Sequence, residues 1–144
     1  MAETNMKPMA YRTEWIRARE EAAEKHQVFS DRGRDEEALS RAMKEAFRNY
    51  LLHCYADNVR QELGTPWAPL EGLEAARFSA MEKLRLMPDA AGKLTTEDLA
   101  KVLHRELHGF TLPRPAAEAC RGDLCEARLY PMLQPHEPEA TNGD

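Results

Sequence analysis

The chain has 144 residues and a formal net charge of −5, and only Ile16, Val28, Val59 and Val102 are isoleucine or valine, against 21 Ala, 16 Leu, 18 Glu and 14 Arg. Branched side chains fit the pleated surface of a sheet and are scarce here, whereas Ala, Leu, Glu and Arg lose little freedom in a helix, so the composition points to an all-α fold and excludes a sheet protein. The acidic balance counts against a nucleic-acid binder, and no apolar run approaches the roughly 20 residues of a membrane span.

Residues 1–12 read as a flexible N-terminus, with Pro8 discouraging an early helix. The first helix is expected from Thr13 to about Phe29. Trp15, Ala18, Ala22, His26 and Phe29 form an apolar stripe widened by Ile16 and Ala23, opposite a mixed-charge face. Ser30, Asp31 and Gly33 break it. Asp35 then caps a long second helix ending at Leu63, with Gly64 as its left-handed stop. Here small and apolar residues recur in pairs at a four-residue period: Ala38/Leu39, Ala42/Met43, Ala46/Phe47, Tyr50/Leu51 and Cys54/Tyr55. Four residues overshoot the 3.6-residue turn, so the stripe winds around the helix and must meet different neighbours along its length. The middle, from Tyr50 to Tyr55, is apolar on nearly every side. It suits either the central helix of a domain or the seam of a homodimer.

Thr65-Pro66-Trp67-Ala68-Pro69 is a stiff connection in which Trp67 is expected to pack down as a plug. A third helix is predicted from Pro69 to Met87, stopped by Pro88. A fourth begins at Thr95 or Thr96 and ends at His108-Gly109, its inner face formed by Leu99, Val102, Leu103, Leu107 and Phe110. Pro113 and Pro115 predict an extended stretch followed by one or two short turns. The Pro-rich acidic tail 131–144 reads as disordered. The expected fold is therefore about four helices packed as a small irregular bundle around a long central helix, within a single domain spanning 13–130.

Few residues are arranged for chemistry. His104 and His108 stand four apart on one helix face and precede Cys120 and Cys125, a spacing that could hold a divalent metal. The sequence His-Arg-Glu-Leu-His misplaces the glutamate of the zinc-protease pattern, and Cys-x4-Cys is wider than the common knuckle. No metal and no cofactor are therefore expected. Cys54 beside His53 is not a nucleophilic pair, because neighbours on a helix diverge by about 100°. The odd cysteine count and the lack of an apolar leader at the N-terminus fit reduced thiols in a cytoplasmic protein. Asp89 to Leu99, with its Gly-Lys-Leu-Thr-Thr-Glu-Asp-Leu cadence, resembles the second half of an EF-hand loop and its exiting helix. Aligning Gly92 with the loop glycine places Met87 and Ala91 where that family has ligating carboxylates, so calcium is not expected. Leu94 to Leu103 has the flavour of the first helix of a helix-turn-helix, but Gly109-Phe110-Thr111-Leu112-Pro113 cannot supply the recognition helix.

No catalytic motif is present, so the chain reads as a non-enzymatic regulator, adaptor or inhibitor. It would bind another protein through helix faces, with Trp15, Ile16, Phe29, Tyr50, Tyr55 and Trp67 as candidate contacts. The alternatives are a nucleic-acid-binding regulator with an arginine face of Arg12, Arg17, Arg19 and Arg32, and a metal- or thiol-dependent protein using His104, His108, Cys120 and Cys125.

Overall fold

A computed structural model describes residues 9–139. Its described residues are mostly helical, in eight helices rather than about four: α1 Tyr11–Lys25, α2 Glu36–Leu63, α3 Glu74–Leu84, α4 Pro88–Gly92, α5 Thr96–Val102, α6 His104–His108, α7 Arg114–Glu126 and α8 Tyr130–Leu133. A two-stranded hairpin joins α1 to α2, with β1 at Phe29–Ser30 and β2 at Gly33–Arg34. A 3-10 turn, Gln134–His136, follows α8. No described helix is long and apolar enough to cross a membrane.

The long α2 is the centre of the fold. The Asp35 carboxylate accepts from the backbone N–H groups of Glu37 and Ala38, which satisfies two of the donors left open at the first turn. Helix α1 lies antiparallel beside it, as the cross-contacts Lys25–Glu45 and Glu14–His53 show. Helix α3 returns along the far half of α2, bringing the Tyr55 and Ser79 hydroxyls within 3.0 Å. Tyr50, Leu51, Leu52 and Cys54 in the apolar middle are all buried within this one chain. Helices α1, α3 and α7 account for that cover, so the middle offers no bare seam to a second copy.

Helices α1 and α3 stop sooner than the apolar pattern suggests, and α7 ends by the same device. Gln27, Arg85 and Arg128 take left-handed backbone angles just beyond α1, α3 and α7 (φ 53°, 55° and 62°). The next residue then donates back over the last turn: Val28 to Ala23, Leu86 to Met81 and Leu129 to Leu124. This is the helix-ending geometry usually reserved for glycine. It moves Phe29 out of the first helix and into the hairpin, where Gly33 (φ 99°) makes the turn. Gly64, expected to stop α2 in this way, is instead extended. Left-handed angles at Leu70 (φ 56°) and Gly72 (φ 60°) keep residues 69–73 out of α3, so Pro69 is not its start.

The predicted fourth helix is split at Leu103, which is buried. Lys83 Nζ caps the break, donating to the Val102 carbonyl (2.8 Å) and to Glu106 (2.9 Å). Pro113 is extended as expected (ψ 152°), but the extended stretch ends there and prolines further on open helices. Pro115 sits in the first turn of the 13-residue α7, and Pro131 in that of α8, where a missing N–H costs nothing. The described part of the tail expected to be disordered, 131–139, is packed. Leu133 and His136 are buried, His136 Nδ1 is 2.7 Å from the Phe110 carbonyl, and the Leu112 N–H donates to the His136 carbonyl. Tyr130 and Arg121 both hydrogen-bond the Glu137 carboxylate. Residues 1–8 and 140–144, part of the two ends read as flexible, lie outside the described residues.

The core closes where α1, α2 and α7 meet. Trp15 and Tyr50 are fully buried and contact edge to face at 5.4 Å between ring centroids. The Trp15 indole N–H donates to Asp123 (2.7 Å) and the Tyr50 hydroxyl to the Ala116 carbonyl (2.6 Å). Tyr50→Phe should therefore cost about 1 kcal/mol in urea denaturation, the net worth of one buried hydrogen bond, because the Ala116 carbonyl keeps the Cys120 thiol as a donor. Arg85→Gly should raise stability by about 1 kcal/mol, since glycine carries no Cβ penalty in the left-handed region and the Arg85 side chain is exposed.

Candidate interaction site

The six aromatic and apolar candidates separate sharply. Trp15 and Tyr50 belong to the core, and their surface is spent on the fold rather than offered to a partner. Ile16 and Tyr55 are half-buried, Tyr55 lying edge-on to Phe110 at 5.7 Å. Phe29 and Trp67 alone of the six stand in solvent, 70% and 83% exposed. The plug expected of Trp67 is not formed, because of its turn. Thr65 and Ala68 exchange two backbone hydrogen bonds (2.9 and 3.1 Å), and the Thr65 hydroxyl accepts a third from the Ala68 N–H. Pro66 and Trp67 occupy the tip of this closed turn, with Pro69 stiffening its exit, and the indole projects outward.

Phe29 is held in a comparable way. Its residue pairs with Arg34 across the hairpin, and the Asp35 N–H donates to the Val28 carbonyl (2.8 Å) at the base. Val28 itself is fully buried and anchors the hairpin to the core. The two exposed aromatics thus sit on fixed backbone at opposite ends of α2. Twenty-eight residues of helix separate them, about 40 Å at 1.5 Å per residue. One small pocket could not receive both. The exposed apolar residues Leu63, Leu84 and Met87 carried no periodic signal separating them from the core.

The other constellations disperse. His104 and His108 stack with their ring centroids 6.4 Å apart, both exposed. Cys125 is exposed, whereas Cys120 is buried with its thiol against the Ala116 and Ala117 carbonyls, and burial pushes it up to about 12. Among the described residues no three His, Cys, Asp or Glu side chains gather as metal ligands. Cys54 is buried beside Tyr50, and desolvation raises its thiol well above the ordinary range. The stretch resembling an EF-hand is occupied by α4, and its Asp98 carboxylate closes a capping box with Thr95. Three arginines of the supposed basic face are committed within the chain: Arg17 to Glu14, Arg19 to Asp123, and Arg12 to the Ala119 carbonyl near Asp123.

One polar feature escaped sequence reasoning. Two open grooves, each about 370 Å³, meet at Glu14 and His53 between α1 and α2. Lys25 and His26 share the Glu45 carboxylate in the first. Asp57 lines the second; it is buried and accepts from Arg60, Gln61 and the Met9 N–H. His53 Nδ1 is 3.8 Å from Glu14, yet desolvation outweighs that carboxylate and holds the imidazole below its usual range. Arg17, bound to Glu14, acts in the same direction as burial. The i, i+4 and i, i+3 rules describe one helix surface, and Glu14 and His53 belong to two.

Compared with known proteins, the chain matches no family model, no curated protein and no solved structure.

The His53 environment has a pH consequence. The unfolded chain takes up a proton near the ordinary value of 6.5, while the native imidazole resists until lower pH. Stability should therefore be full above about 6.5 and fall below it. Urea melts at pH 7.5 and 5.5 should show wild type weakening between the two, with His53→Gln removing part of that loss; equal slopes for both proteins would exclude the effect.

Proposed function

We propose that this chain is a regulator, adaptor or inhibitor that acts by binding another protein, without turnover and in a cytoplasmic setting. The observation that supports it is the exposure of Phe29 and Trp67 on hydrogen-bonded turns. A large aromatic ring left in water forgoes about 2 kcal/mol or more of burial that the fold could have used. Turns that hold such rings outward also remove the ordering cost of a loop that has to rearrange on binding. Aromatic anchors on rigid backbone are the residues that dominate protein–protein affinities.

Neither side chain supports the core, so Phe29→Ser and Trp67→Ser should leave the melting curve nearly unchanged. Affinity capture from lysate of the source cells, quantified by mass spectrometry, tests the reading with wild type and both variants. At least one protein held by wild type should fall roughly 30-fold or more in one variant, the effect of losing a hot-spot contact of about 2 kcal/mol. Identical captured sets for all three proteins would overturn the reading.

A further inference from the structure

The chemistry around the Trp67 turn specifies the partner more closely. Residues 61–76 contain Glu62, Glu71 and Glu74 and no lysine or arginine. All three glutamates are exposed. Glu62 lies in the last turn of α2 and Glu74 opens α3, so the acids flank the turn on both sides. The nearest basic residues outward are engaged elsewhere. Arg60 binds the Asp57 carboxylate through Nε and Nη2 (3.0 and 2.8 Å), and Arg77 Nε donates to the Leu94 carbonyl (3.2 Å). Most other carboxylate-rich stretches have a cation at hand, as Glu14 has Arg17, Glu45 has Lys25 and Glu106 has Lys83. Arg17 and Arg60 line one groove with Glu71, but Arg17 binds Glu14 and Arg60 binds Asp57, so the Trp67 turn is an exposed indole with a local excess of carboxylates.

An indole face attracts a cation more strongly than any other aromatic ring, and the surrounding carboxylates add to that attraction within a Debye length of about 8–10 Å. An acidic or purely apolar partner would meet repulsion or leave the glutamates without a counterpart. Resting on the interaction reading above, we infer that the surface at Trp67 receives a basic segment of the partner protein. A lysine or arginine side chain lies on the indole, and neighbouring basic residues pair with Glu62, Glu71 and Glu74.

The test uses the full chain and a hexa-arginine peptide, with hexa-serine and hexa-glutamate as controls. The chain has two tryptophans, Trp15 buried and Trp67 exposed, so their indole N–H signals in nitrogen-15 NMR report separately. Hexa-arginine should move the Trp67 signal and leave that of Trp15 in place; the controls should move neither. Trp67→Ala should weaken peptide binding on the order of fivefold to thirtyfold in calorimetry. The triple variant E62Q/E71Q/E74Q should weaken it on the order of threefold or more. The triple variant E20Q/E24Q/E118Q removes the same charge from exposed positions on α1 and α7 and should have little effect. A stationary Trp67 signal, or equal weakening by both triple variants, would overturn the inference. If Trp67→Ser abolishes partner capture while hexa-arginine leaves the indole unmoved, the interaction reading stands and the basic-segment assignment fails.

Discussion

Two buried aromatic side chains, each with a single polar group, require α7. Trp15 on α1 and Tyr50 on α2 pack edge to face at the centre of the molecule. Neither the indole N–H nor the phenol can be left unpaired in an apolar interior without a penalty of about 1–3 kcal/mol. Both partners come from α7: the Asp123 carboxylate for Trp15 and the Ala116 carbonyl for Tyr50. Asp123 also takes Arg19 at 2.7 Å, so one carboxylate fixes α7 to α1 at two points. The remaining elements follow from this node. The C-terminal turn folds over α7 through Glu137, and His136 packs against Phe47 of α2.

The parts of this fold legible in the sequence are those carried by local chemistry. Asp35 marks the start of α2 and Thr95 that of α5, because each side chain satisfies backbone donors within three residues of itself. The winding period of α2 told of a helix with several neighbours, and it has them. What failed is equally physical. Helix stops were sought at glycine, but Gln27, Arg85 and Arg128 adopt the left-handed angle without it, held by bonds that no composition rule reveals. Proline was read as a breaker, yet at Pro115 and Pro131 it opens a helix; its effect depends on whether its nitrogen falls before or after the first turn. Buried Leu133 and His136 sit in a segment whose composition is that of a loose tail, which two long-range backbone and ring contacts outweigh.

The candidate site shows the same division. Aromatic character singled out both tryptophans, but not their opposite fates. Trp15 lies on a helical stripe and is drawn inward with its neighbours, whereas Trp67 sits between two prolines on a turn that closes on itself and has no face to turn inward. Phe29 looked like the last residue of the first stripe, and the left-handed residue two places earlier carried it out. His53 was judged against its neighbour Cys54 on the same helix, while its actual electrostatic neighbour, Glu14, comes from a helix almost forty positions away.

The bond between Trp15 and Asp123 spans 108 residues of sequence, and this sets an order of events during synthesis. Domains generally fold as units during synthesis. A nascent chain that has released α1 through α6 still lacks the partners of both central polar groups, the Asp123 carboxylate and the Ala116 carbonyl. Consolidation has to await the emergence of α7. Closing so long a loop adds little entropic cost beyond that of a shorter one, but it slows the search. The ribosome therefore has to release α7 before this core can become dry.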